Sequence, residues 1–349
     1  MTVGKNDSRN DQSHYDARAD LSVVIPVYNT EEVFIRNCLS SVAACQSLGI
    51  SLEVVIVDDG SAIEYTEWLY NVVKELVPFA RIISKDNGGQ NSARRVGLEY
   101  ISGRYVLFLD SDDVLEPEEL GKTLSAAVKY EPGILCYNLC RINEDGAVVG
   151  SACAWEGDFR WIDPSRAIFE SDSLSRQLYR RDVLQQADIT LVEGPRIGED
   201  MASAVPFLLS TETIASIGCC PYRYVQRHSS VMHSVPASRV SDIIDAAEQM
   251  LLRIPEESFN RYHREIESLC IEHVVYWGTM RAFDVCGAGL TYHARMSEWM
   301  DGNFPGWRVS QGAMRAFKKY GLKYVLLSLG FRRAYGLLSK IKKCIKAIL

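Results

Sequence analysis

Four short apolar runs, each ending in polar residues, constrain this chain more than any other feature. LSVVIPVY (residues 21–28), EVVIVDDG (53–60), ARIIS (80–84) and YVLFLD (105–110) are rich in β-branched and aromatic residues. Helical spacing separates them: Phe34, Cys38, Leu39 and Val42 follow the first run, Trp68, Leu69, Val72 and Leu76 the second, and Ala93, Val96, Leu98 and Ile101 the third. A strand that is apolar throughout must be covered on both faces, and alternation with helices is the pattern of a parallel sheet. A fifth strand is expected over GILCYNLCRI (133–142). The expected fold is α/β, a Rossmann-like, mostly parallel sheet with helices on both faces. Ligands of such sheets bind beyond the carboxyl ends of the strands. Polar residues stand at those ends: Tyr28-Asn29, Asp58-Asp59, and Asp110 to Asp113. Asn29 with Glu32 three residues on has the spacing of a capping box for the first helix.

Past residue 150 the order loosens. LSRQLYRRDVL (174–184) is expected to form a short strand and a helix, and IGEDMASAVPFLLS (197–210) a helix with Glu199 and Asp200 at its N-terminus. TIASIGCCPYRYVQR (213–227) is expected to form one further strand, and the remainder is helical. The organisation expected is a disordered tail over 1–20, an α/β domain over 21–235 and a helical region over 236–349. The chain is 47% hydrophobic over 349 residues, enough for a sizeable core.

The formal charge of -7 argues against nucleic acid as the main partner. It is unevenly spread: eleven of the 38 basic residues and none of the 45 acidic ones lie from Gly302 onward. Over 305–349 basic and apolar residues interleave at roughly helical spacing, the pattern of a helix lying on a membrane surface. Helices packed on the domain with a solvated basic face would look similar. Ten cysteines form no zinc spacing, and the expectation is that they are reduced and mostly buried, as in a cytosolic protein. The first twenty residues lack the apolar core of a signal peptide, and no run of about 18 uncharged apolar residues marks a spanning helix.

Three constellations carry chemistry. Asp110, Asp112 and Asp113 crowd three carboxylates into four residues. A hard cation such as Mg²⁺ or Mn²⁺ relieves that repulsion and then takes a diphosphate; an acidic loop capping the helix near Pro117 is the plain alternative. In VDDGS (57–61), Asp58 can accept from a base N–H or ribose hydroxyls, although Asp-Gly is also a turn signal. In DNGGQNSARRVGL (86–98), the glycines permit close approach, and Asn87, Arg94 and Arg95 can reach a base or phosphate. The chain has neither a Walker lysine pattern nor a GxGxxG. Glu199-Asp200 also fits an acidic helix N-terminus stabilised by the dipole.

Taken in order and spacing, PVYN, VDDGS, NGGQNSAR and FLDSDD resemble the family 2 glycosyltransferases of the GT-A fold. The likeness is close over 21–115 and continues through LYRRDVL, IGED and YRYVQRHSSVM. It implies a GT-A catalytic domain, a nucleotide-sugar donor (usually a UDP-sugar), a Mn²⁺ or Mg²⁺ ion and inversion at the anomeric carbon. By the same resemblance Pro26, Tyr28 and Asn29 line the base pocket, Asp58 binds uracil or ribose, and Asn87 and Arg94 hold the donor. Asp112 is the direct metal ligand, with Asp110 and Ser111 on the ribose and metal side and Asp113 behind them. Asp200 matches the catalytic base, with Glu199 orienting the site. Arg227, His228 and Ser230 match a segment that closes over the diphosphate, where His228 or His233 could add a metal contact. Arg95 departs from the family's usual Asn. FPGW (304–307) and the basic helices after it resemble tails of bacterial transferases that build surface polysaccharides or lipopolysaccharide. That implies a glycan or lipid-linked acceptor and a cytoplasmic protein peripheral on the inner face of the cytoplasmic membrane. Two rivals stand beside this reading. A nucleotidyltransferase of similar fold would carry a Gly-rich basic loop after the first strand, where PVYNTEE is acidic. A non-catalytic nucleotide- or glycan-binding module would have no use for both acidic pairs.

Overall fold

The computed structural model describes residues 19–185, 190–227, 239–285 and 289–337. Its first half alternates β1 (Leu21–Val27), α1 (Glu32–Ser47), β2 (Leu52–Asp58), α2 (Ile63–Leu76), β3 (Arg81–Ser84), α3 (Gln90–Leu98) and β4 (Tyr105–Phe108). There follow β5 (Val114–Leu115), α4 (Pro117–Tyr130), β6 (Ile134–Cys136), β7 (Leu139–Asn143), β8 (Val148–Ala152), β9 (Arg160–Trp161), α5 (Pro164–Glu170), β10 (Gln177–Arg180), α6 (Arg181–Leu184), α7 (Glu199–Leu209), β11 (Ile214–Ser216) and β12 (Tyr222–Gln226).

Eight strands form one sheet in the order β3-β2-β1-β4-β10-β6-β11-β9. β1 pairs in parallel with β2 from Leu21↔Leu52 to Val27↔Asp58, and with β4 on its other side. β2 pairs in parallel with β3. β10 runs antiparallel to both its neighbours. Period-two packing explains the unbroken burial of β1: Val23 and Ile25 face Ile35, Cys38 and Leu39 of α1, whereas Val24 faces Ala93 of α3 with Val55 and Phe108. α3 lies so close to the sheet that a Cβ on Gly97 would stand 2.4 Å from Val24 Cγ1, so only glycine fits there.

Two expected strands are each split in two. The run 133–142 divides into β6, in the large sheet, and β7, in a second sheet ordered β5-β12-β7-β8; the run 213–227 likewise divides into β11 and β12. Asn138 makes the first switch possible. Its buried amide donates to the carbonyls of Trp155 (2.9 Å) and Gly218 (3.0 Å) and accepts from Trp155 N (3.0 Å), pairing backbone that the sheets leave unpaired. The second sheet also overturns an expectation about the cysteines. Cys140 and Cys220 form a disulfide joining β7 to the approach of β12, with Cα atoms 6.2 Å apart, while Cys219 remains a thiol.

The later chain is helical: α8 (Asp242–Arg253), α9 (Glu256–Arg261), α10 (His263–Cys270), a π-helical segment (Ile271–Gly278), α11 (Thr279–Val285), α12 (Gly289–Asn303), α13 (Gln311–Tyr320) and α14 (Leu322–Ser328). These helices share one core with α5 and α7. Ile168, Met201 and Val205 pack in a cluster with Ile243, Ala247, Ile271 and Trp307. The helix that carries Glu199 and Asp200 is therefore held between the sheet and the C-terminal layer. Among the described residues no helix is long and apolar enough to cross a membrane.

Candidate active site

A cavity of about 610 Å³ opens at the carboxyl ends of β1, β2 and β4, where sheet topology places a ligand. Pro26, Tyr28 and Asn29 form one wall, and Tyr28 is 56% exposed. Asn29 is not the cap of α1, which begins after Glu31 without a side-chain cap. It adopts a φ of 45° instead, and its Oδ1 accepts from Ala62 N (3.1 Å), anchoring the entry of α2. Turning the chain into a pocket wall takes precedence here over helix capping.

The Asp58-Asp59 pair divides its work differently from the expectation. Asp58 accepts from Ser61 N (3.1 Å) and Thr66 Oγ1 (2.6 Å) and lies outside the cavity lining; Asp59 is the one that lines it. Asp59 accepts from Gly88 N (3.0 Å), Gly89 N (2.7 Å) and Lys85 Nζ (2.7 Å), and Asn87 Nδ2 donates to its carbonyl (2.8 Å). The glycine loop is thus folded onto Asp59. Gly89 has a φ of 94°, which a side chain would strain, and a Cβ there would stand 2.9 Å from Arg196 Nη1.

Arg94 is wholly buried behind this loop and joins two acidic segments. Nη2 donates to Asp110 Oδ1 (2.6 Å), while Nη1 donates to Asp200 Oδ1 (2.6 Å) and Asn91 Oδ1 (2.9 Å). Burial alone would lower its pKa; Asp200 and Asp110 more than reverse that and hold it above the ordinary arginine value. Gln90 Nε2 also donates to Asp110 Oδ1 (2.7 Å). Burial pushes the Asp110 carboxyl up to about 6, with Arg94 opposing and Asp200 and Asp112 adding to the rise.

The neighbours of Asp110 take separate roles. Asp112 lines the cavity and pairs with Arg227 (2.5 Å), and Ser111 Oγ hydrogen-bonds Thr30 Oγ1 (2.6 Å). Asp113 turns away: it accepts from Tyr222 Oη (2.7 Å) and Val225 N (2.8 Å) and ties the acidic loop to the second sheet. Across the cavity, Glu199 and Asp200 open α7 behind Gly198. Burial, then the charge of Asp200, pushes the Glu199 carboxyl up to about 7. Asp200 Oδ2 accepts from Ser173 Oγ (2.8 Å).

Asp112, with Asp110 Oδ2, to which no described residue donates, offers hard oxygen donors to the cavity. That suits a magnesium-like ion, which needs one or two protein carboxylates when phosphate oxygens complete its shell. Among the described residues no set of three or more His, Cys, Asp or Glu could hold a metal by itself.

Residues 22–169 match the model of glycosyl transferase family 2. Over that stretch, less than half of its length, the chain is similar to the family 2 glycosyltransferases. It is similar to the hyaluronan synthase of Pasteurella multocida, 33% identical over 149 residues, which are 42% of this chain and 15% of that one. It is also similar to the succinoglycan biosynthesis protein ExoO of Rhizobium meliloti, 27% identical over 68% of this chain and 70% of that one. The chain thus spans only a minor part of the synthase it resembles. Among solved structures, S. aureus TarS 1-349 in complex with UDP-GlcNAc superposes with a TM-score of 0.69 at 20% identity, covering 90% of this chain and 92% of that one. The overall α/β architecture and its helical extension are therefore shared with TarS, and the fold is GT-A.

In this chain the four N-terminal motifs and Glu199-Asp200 converge on one cavity, apart from Asp58, Asp113 and the buried Arg94, and Arg227 reaches it from the end of β12. Arg95 points elsewhere, to Glu193 (2.5 Å) and Glu99 (3.4 Å). Ser230, His228 and His233 lie outside the described residues. Sequence reasoning named Asp59 only as a strand-end residue and did not single out Gln90, Arg196 or Ser173. Gln90 sits within the recognised glycine segment and could have been found there; Ser173 is 27 residues from its partner, with no local signal.

Proposed function

We propose that the protein is an inverting, metal-dependent transferase. It would move a sugar from a nucleotide sugar, a UDP-sugar in particular, to a glycan or lipid-linked acceptor during assembly of a cell-surface polysaccharide. The observation that carries this reading is the arrangement around Arg94, which holds the Asp-x-Asp carboxylate and the α7 carboxylate beside one cavity. The UDP-GlcNAc held by TarS supports the donor class, and the names of ExoO and hyaluronan synthase support the acceptor class.

In this mechanism Tyr28 and Asn29 flank the base, and Asp59 fixes the glycine loop against the donor. Asp112 and Asp110 would hold the cation, which when bound neutralises the departing diphosphate. Arg227, which lines the same cavity beside Asp112, would supply positive charge to the diphosphate oxygens. Asp200 accepts the proton of the acceptor hydroxyl as its oxygen bonds to C1; the C1–O bond to phosphate breaks, and its electron pair leaves with UDP. One displacement inverts the anomeric centre. With a panel of UDP-sugars, UDP release is expected only with Mn²⁺ or Mg²⁺ and should stop on chelation. Pyrophosphate release would point instead to a nucleotidyltransferase, and undiminished release in chelator would remove the cation from the reading.

The membrane reading rests on the described part of the basic tail. Met314, Phe317 and Leu322 are exposed beside Arg315 and Lys318. Such a face fits an anionic lipid surface, to which each basic residue contributes about 1 kcal/mol. Co-sedimentation with phosphatidylglycerol vesicles and none with phosphatidylcholine vesicles is the expected result; equal behaviour with both would sink it.

A further inference from the structure

Arg94 alone cannot fix the Asp200 carboxylate. A single contact at Oδ1 leaves the group free to turn about its Cβ–Cγ bond, and the Asp200 side chain is 32% exposed to the cavity. The second contact comes from Ser173, whose hydroxyl donates to Oδ2 at 2.8 Å and lies 3.2 Å from Ser175 Oγ. Ser173 belongs to a short connection between α5 and β10, just before a 3₁₀ turn at Leu174–Arg176. Its neighbour Asp172 is tied down from the C-terminal layer. His273 Nε2 lies 2.8 Å from Asp172 Oδ2, and Arg176 Nη1 lies 3.7 Å from Oδ1. Burial would raise the Asp172 carboxyl; the bond and charge of His273, with Arg176, hold it below the ordinary value instead. His273 stands in the π-helical segment Ile271–Gly278, and such wide turns are frequent at functional sites.

We propose that Ser173 is the positioning residue of the candidate base, and that the His273–Asp172 pair lets the C-terminal helices hold it in place. Deepening the function proposed above, this inference rests on Asp200 acting as the base. Ser173 and Arg94 grip the two carboxylate oxygens and fix the carboxylate plane, while each oxygen keeps a further lone pair for the acceptor hydroxyl. The C-terminal layer then contributes to turnover rather than only covering apolar surface. No local motif announces this, because the contacts run from residue 173 to 200 and from 172 to 273.

The test is steady-state kinetics of the full chain with its best UDP-sugar and Mn²⁺. Ser173→Ala should lower kcat roughly tenfold or more, because a small misplacement of a reacting group is costly, and donor KM should stay within about twofold. Ser173→Thr, which keeps the hydroxyl, should recover most of the loss. His273→Asn should lower kcat in the same direction with donor KM unchanged. In an Asp200→Asn background, Ser173→Ala should add nothing, since both changes act through one group. Wild-type kcat in Ser173→Ala, an equal loss in Ser173→Thr, or a full additional loss on top of Asp200→Asn would overturn the inference. Full turnover in Asp200→Asn is a different failure and would remove the base itself.

Discussion

Asp200→Asn is expected to lower kcat by about three orders of magnitude and to leave UDP affinity unchanged. The magnitude is that of a general base lost from a reaction whose nucleophile is a neutral hydroxyl. The substitution isolates chemistry from architecture. An asparagine of the same shape can still present its carbonyl oxygen to Arg94 Nη1, and its amide can donate to Ser173 Oγ, so both contacts of the native side chain survive. What it cannot do is take a proton. Glu199 serves as the internal control. It lines the same cavity, but Arg94 and Ser173 donate to the Asp200 carboxylate and not to its own, so their grip orients Asp200 alone. Glu199→Gln should therefore cost much less than Asp200→Asn. Turnover and UDP titration calorimetry on the two variants decide the matter: loss in Glu199→Gln with survival in Asp200→Asn would exchange their roles.

Local chemistry explains which parts of this protein are legible in its sequence. β1 to β4 and the helices between them follow from period-two and period-3.6 patterns, and the location of the cavity follows from the parallel topology those patterns require. The patterns fail where tertiary partners decide. β1 and β2 are apolar on both faces, so nothing in VDDGS tells which aspartate faces the cavity; Asp59 does, where the glycine loop donates two backbone N–H groups to it. The switch between sheets at Asn138 depends on the carbonyls of Trp155 and Gly218, 17 and 80 residues away. Pairing of Cys140 with Cys220 spans 80 residues and joins strands that the sequence pattern had merged into longer ones. Asn29 looks like a helix cap because its spacing to Glu32 is right, yet Ala62 offers a backbone N–H that a turned pocket wall can use.

Arg94→Met should be the most destabilising single change in the site, by about 3 kcal/mol, because breaking a buried charge pair leaves its partners uncompensated. The lower end of that principle's range applies: the guanidinium is fully buried, but the Asp110 and Asp200 side chains are 22% and 32% exposed, so water screens part of the loss. Asn91 Oδ1 also loses its donor. The size of the defect should depend on pH, and its sign follows from Asp110. Burial already holds that carboxyl at about 6, and Arg94 is the charge that restrains the rise. Without Arg94 it climbs further. A carboxyl raised in the fold contributes stability that is full below its unfolded value, near 4, and lost as pH rises through the folded one. The variant should therefore lie closest to wild type near pH 5 and fall furthest below it near pH 8. Arg94→Lys should recover little, because one ammonium cannot span both carboxylates as the planar guanidinium does. Urea unfolding of the three proteins at both pH values measures this, and a defect of the same size at pH 5 and pH 8 would show that Arg94 is held there by packing rather than by the carboxylates it joins.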